Sequence, residues 1–336
     1  MKPIFVAIVI FISAFGVSAQ WIKQTVETKA SFRGLSVVSE RVVWASGTGG
    51  TVVRTADGGK SWSVMTVPGA EKLDFRDIEA FDANTAYILS IGNGDASRIY
   101  KTTDSGKTWE LQFTNKDEKA FYDAIACWDS NNCVAMSDPV DGKFRLIETK
   151  NGDSWSILDN SKMPPAKEGE AAFAASGTCL ITARKNNLYL VSGGSAARFF
   201  SSWDRGKTWT VYETPMIKGT LGSGIFSIAT RDGKFVAMVG GNYEKPTESI
   251  SNLAVTDWYG QTWKPGTGLS GYRSGVAYID RNTIIAVGTN GTDISRDRGA
   301  TWKKIGDENL NAVAAKGRRS VWAVGPAGAV YRLSGR

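Results

Sequence analysis

Histidine is absent from the 336 residues. That excludes Ser-His-Asp and Cys-His nucleophile systems, His-ligated zinc or haem, and the two-His iron triad. Cysteine is scarce: three residues cannot complete a four-thiolate zinc site or hold an iron–sulfur cluster alone. Proline is also rare, 9 residues against 37 glycines. There is no dinucleotide fingerprint and no flavin or metal motif, so neither a cofactor nor a metal is expected. Any catalysis would fall to carboxylates, Tyr, Lys, Arg or Ser. After the first twenty residues no apolar run is long enough to span a membrane.

What is present describes a folded chain rich in short strands. Apolar residues make up 42% and charged residues 22%, with 12 Trp, and glycine does not follow a collagen period. The net charge of +7 is a mild basic excess spread over a long chain. It permits acidic partners without implying nucleic acid.

The N-terminus reads as a secretory signal peptide. Met1-Lys2-Pro3 precedes an apolar stretch from Ile4 to Val17, and Val17-Ser18-Ala19 supplies small residues before Gln20. Residues 1–19 are expected to be removed, leaving residues 20–336 as one domain in a secreted or periplasmic, extracytoplasmic setting. Disulfides can form there. Cys127 and Cys133 flank the turn-like stretch Trp128 to Asn132, and opposed hairpin residues lie within disulfide reach. A Cys127–Cys133 bridge is expected, with two buried thiols as the alternative. Cys179 is left over, in an apolar strand-like run.

Internal repetition sets the fold. Thr55-Ala56-Asp57-Gly58-Gly59-Lys60-Ser61-Trp62 returns around Asp104 and Trp109, Asp204 and Trp209, and Asp297 and Trp302. The shared pattern is S/T-x-D-x-G-x-S/T-W. Two copies are degenerate. Thr149 to Trp155 is one residue short with Asn151 in place of Asp, and Thr256 to Trp263 has Trp258 there. The octapeptide reads as a structural turn: Asp accepts from backbone N–H groups, Gly supplies positive φ, and Trp fills the gap beside the hairpin. The motif is that of the Asp-box. The chain resembles the bacterial neuraminidase repeat propellers from here onward.

Each octapeptide is preceded by three apolar runs and followed by a fourth, which is one four-stranded propeller blade. Trp-to-Trp spacings are 47, 46, 54, 54 and 39 residues. The C-terminal tail offers only three strands, and Gln20 to Val26 matches the strand that follows each octapeptide Trp. The expectation is therefore an all-β, seven-bladed β-propeller of about 45 residues per blade, its last blade closed by the N-terminal strand.

The octapeptide turns would lie on one face and the starts of the inner strands on the other. Arg33, Arg76, Asp77, Asp123, Glu170 and Arg273 are expected to crowd the channel mouth, joined by Asp138 and Tyr243 from longer loops. Charges of both signs at a concave opening suggest a binding site, with a salt-bridged rim as the alternative. A basic group of Arg296, Arg298, Lys303, Lys304, Lys316, Arg318 and Arg319 is expected on the octapeptide face or on the rim between blades six and seven.

Three Asp-box relatives offer different functions. Resemblance to sialidases would imply a glycan hydrolase or lectin-like binder, with Tyr122, Asp123 and Glu170 as catalytic raw material. The arginine-isoleucine-proline motif expected of that group is missing, and the blade count is seven. Xyloglucanase-type enzymes place their carboxylates between two propellers, and here there is one. Resemblance to photosystem II assembly and stability factors implies an exported, non-catalytic scaffold that binds protein partners. That scaffold reading leads, with a protein partner or an extracellular glycan, no nucleic acid, and a monomer expected.

Overall fold

The computed structural model describes residues 20–159 and 161–334. The signal-peptide reading of residues 1–19 lies outside them. Seven antiparallel sheets stand in a ring, six of four strands and one of six. This is the seven-bladed propeller expected from the repeat.

In blade one the strands are Phe32–Val37, Val43–Gly47, Thr51–Thr55 and Ser63–Thr66, running outward from the channel. Their burial explains their composition. The second strand is buried along its whole length, whereas the fourth is exposed at three of four positions. A middle strand packs against a neighbouring blade on both faces and so reads as a continuous apolar run. An outer strand meets water and can be polar.

The core sits between blades. Trp44, Phe75, Ile78, Ile88 and Tyr100 fill the gap between blades one and two, with Trp109 packed against them. Trp62 packs against the equivalent cluster between blades seven and one, its ring 5.7 Å from Trp322 in an edge-to-face contact. Each octapeptide Trp thus wedges its blade against the preceding one.

The turns explain the rest of the repeat. Asp204 Oδ1 accepts from Thr208 N at 2.8 Å and Oδ2 from the Thr208 hydroxyl at 2.6 Å, while Ser202 Oγ accepts from Gly206 N at 2.7 Å. Asp57, Asp104 and Asp297 hold their turns in the same way. These bonds hold the turn carboxylates below the usual range, Asp104 at about 2.

Blade seven is built from Ala312–Ala315, Val321–Val324, Val330–Ser334 and, as its outer strand, Gln20–Lys23. Trp21 lies opposite Leu333 and Lys23 opposite Tyr331. The N-terminal strand therefore closes the ring. Cys127 and Cys133 face each other across the first hairpin of blade three and are bonded, while Cys179 is free and buried. No helix of the described residues is long and apolar enough to cross a membrane.

One expectation about blade four needs correction. The sequence pattern puts its inner strand beside Glu170, whereas the strand is Leu180–Ala183. Glu170–Ala171 is instead a short strand paired with Gly193–Gly194, which joins the sheet of blade five. The intervening residues 172–179 have a different task.

Candidate functional site at the channel mouth

Residues 172–179 form a strap across the channel mouth. Ala172 N donates to Asp138 Oδ1 of blade three at 2.7 Å. The carbonyls of Ala174 and Ala175 accept from Arg76 Nη1 of blade two at 3.4 Å and Arg33 Nη1 of blade one at 3.0 Å. Ser176 Oγ donates to Ser274 O of blade six at 2.8 Å. Small residues make this crossing possible. Gly177 is left-handed at φ 74°, and a Cβ there would run into the Asp77 carboxylate. The run Ala171-Ala172-Phe173-Ala174-Ala175-Ser176-Gly177 was the available sequence signal for this close approach.

The strap divides the mouth into two recesses that meet at Arg76, Phe173 and Ala174. The smaller, about 370 Å³, is walled by aromatic rings. Phe173 stacks on Phe226 with centroids 3.9 Å apart, and Phe226 meets Tyr272 edge-on at 4.8 Å. Tyr243 completes the wall and remains 49% exposed. Arg33 and Arg76 provide the polar side. Burial, and then the neighbouring Arg76 cation, lowers the pKa of Arg33. Phe173, Phe226 and Tyr272 were not among the residues expected at the site. Apolar residues carry no sign in the sequence that they will face an opening rather than a core.

The larger recess, about 680 Å³, has an acidic floor of Asp123 and Asp138. Asp123 is buried, and neither of its carboxylate oxygens has a hydrogen-bond partner among the described residues. Burial, and then the Asp138 carboxylate, raises its pKa well above the usual range. The Arg76 cation and nearby backbone N–H groups offset this only in part. Burial raises Asp138 to about 6.

Several expected site residues are not free at the opening. Arg273 is fully buried in blade six, donating to Asp293 Oδ2 at 2.8 Å and to Asn290 Oδ1 at 2.6 Å. Asp77 is buried beneath the strap, where it accepts from Ile125 N at 2.7 Å and Ile78 N at 2.8 Å. Burial still raises it to about 7. Glu170 lines the larger recess, but its oxygens are taken up by Arg198, the Ser192 hydroxyl and Lys167 N. Tyr122 is buried against Phe113, and burial raises its phenol to about 12. Glu170, the carboxylate that the hydrolase reading sets beside Asp123, is thus committed to Arg198. The mouth thus gathers Arg33, Arg76, Asp123, Asp138 and Tyr243, whereas Asp77 and Arg273 support the wall.

Residues 14–334 match the family described as photosynthesis system II assembly factor YCF48. The chain belongs to that family. Solved structures with the same fold include YCF48 bound to a D1 peptide, at 16% identity and a TM-score of 0.68, covering 96% of this chain and 99% of that one. YCF48 from Cyanidioschyzon merolae is similar at 16% identity and 0.65, over 93% and 98%. The U3-55K structure shares the fold at 10% identity and 0.64, over 94% and 98%. No curated protein matches the chain.

Proposed function

We propose that this chain is an exported, non-catalytic propeller that binds a segment of a client protein across the channel mouth. The observation that carries the reading is the meeting of the two recesses at Arg76, one walled by aromatic rings and one floored by carboxylates. Exposed Tyr beside Arg, on a rigid concave surface, is the composition of a protein-recognition site. Family membership supports it, as does the solved YCF48 complex with a D1 peptide. Export rests on the signal-peptide reading of residues 1–19, and the disulfide at Cys127–Cys133 suits an oxidising compartment.

The test is selection of displayed random peptides on the protein lacking residues 1–19. Peptides are expected that bind the parent and are lost in Arg33→Glu and Tyr243→Ala, with binding kept in Asp257→Asn on the opposite face. Salt should weaken the binding through Arg33. Selected peptides that ignore both mouth substitutions would overturn the reading.

A further inference from the structure

The larger recess contains more acidic groups than its own cations pair with. Arg76 pairs with Asp74 at 2.7 Å, Lys119 with Asp141 at 3.1 Å and Lys167 with Glu213 at 2.5 Å. Glu170 is taken by Arg198. Asp123, Asp138 and Glu168 make no direct ion pair among the described residues, and Arg76 acts on Asp123 only at a distance. Asp138 Oδ1 receives the Ala172 amide, whereas the Asp138 and Ala174 backbone N–H groups face Asp123 without a well-formed hydrogen bond to either of its oxygens. A buried carboxylate without a partner is costly, and native structures seldom keep one without a reason.

The walls narrow the choice of ligand. Pro139, Ala166, Ala172 and Phe173 give the recess an apolar side above the acidic floor. That combination fits a long alkyl stem ending in a cation. A divalent metal ion fits less well. Calcium and magnesium take six or more oxygen ligands, and no group of three acids able to hold a metal ion occurs among the described residues.

We propose that the Asp123–Asp138 floor is the seat for a lysine or arginine side chain of the bound protein segment. The proposal rests on the client-binding reading and adds what the client must carry. A guanidinium or ammonium entering along the Phe173 wall would meet the partly exposed Asp138 carboxylate, with the buried Asp123 carboxyl behind it. Its attachment should depend on pH. Around the pair stand Arg76 with Asp74, Lys119 with Asp141, Lys167 with Glu213, Glu168, Glu170 with Arg198, and the buried Cys179 and Asp77. Burial keeps protons on the acid pair, and a bound cation favours the ionised form. Binding should therefore release protons and tighten as pH rises from about 5 to 7.

The probes are Nα-acetyl-arginine methylamide, its lysine counterpart, the uncharged citrulline analogue and calcium chloride. Each is titrated into the isotope-labelled protein, with the amide resonances of Ala172 and Ala174 as the readout. We expect saturable shifts with the arginine or lysine probe and a response about tenfold weaker with citrulline. Asp123→Asn and Asp138→Asn should each weaken the cation about fivefold or more without lowering Tm. An equal response to citrulline, an unchanged response in both Asn variants, or a response to calcium alone would overturn the proposal. The displayed peptides separate the two readings. Selected sequences that need Tyr243 but contain no basic residue would overturn the cation seat and leave the client reading standing. Specific binding of the cation probe with no peptide selected would support the seat and remove the client reading.

Discussion

The indole N–H of Trp21 donates to Thr292 Oγ1 of blade six at 2.9 Å, across 271 residues of sequence. Trp21 is buried among Ile285, Val287, Val313 and Ala323, between blades six and seven. It is the counterpart of Trp302, which packs between blades five and six. Blade seven has no octapeptide of its own, and the N-terminal strand supplies the missing wedge. Trp21→Ala should therefore cost about 3–5 kcal/mol, as burial of a large aromatic in a core implies. Deleting residues 20–28 should go further and leave Val330–Ser334 as an open edge prone to association. Calorimetry and light scattering test both; a truncated protein that melts like the parent and stays monodisperse would refute the closure argument.

The octapeptide turns allow opposite predictions at equivalent positions. Asp204→Ala removes the acceptor for Thr208 N and should cost about 1 kcal/mol, with peptide binding at the far face unchanged. In blade five, Trp258 occupies the Asp position and is 51% exposed. The turn keeps its shape through Thr256 Oγ1, which accepts from Trp258 N at 3.1 Å. Trp258→Asp restores the acceptor for Thr262 and should raise Tm. A fall in Tm would mean that the exposed Trp contributes more than the missing carboxylate.

The ring was legible because its signal is periodic. Six turns with a Trp at the end specify six blades, and the match of Trp21 to the strand after the turn specifies the seventh. The strap was not legible, since it belongs to no repeat and its residues resemble an ordinary blade connection. Glu170 was therefore assigned to the wrong strand. At the mouth, Arg33 and Arg76 could be found as charges at strand starts. The same rule selected Arg273, which lies just before the strand Gly275–Tyr278 and turns into the wall, and Asp77, which turns inward where the strand register shifts. Residues opposite Phe75 and Asp77 show such a shift.

The Cys127–Cys133 bond closes a short loop of six-residue separation. By loop-closure entropy its removal should cost about 2 kcal/mol. A Cys127→Ala/Cys133→Ala double variant should fold with a lower Tm, and thiol titration of the denatured, unreduced parent should find Cys179 alone. Three free thiols in protein recovered from an oxidising compartment would contradict the bond.

The missing histidines make the pH dependence of stability easy to interpret. Four acids are shifted upward by removal from water: Asp138 to about 6, Asp77 to about 7, and Asp123 and Glu79 well above the usual range. The unfolded chain loses these protons near pH 4, whereas the folded chain keeps them. Their contribution is thus complete below about pH 4 and lost as pH rises through 6 and 7. The turn carboxylates have the opposite sign. Asp57, Asp104, Asp204 and Asp297 lie below the usual range, so their contribution is present above about pH 4 and lost as pH falls toward 2. The two trends place maximum stability near pH 4–5. From there to pH 8 the loss from Asp138 alone is on the order of 2–3 kcal/mol. Scanning calorimetry should show Tm falling over that interval, with a shallower fall in Asp138→Asn. A Tm at pH 8 equal to or above that at pH 4.5 would show that these carboxyls are not held protonated in the folded protein.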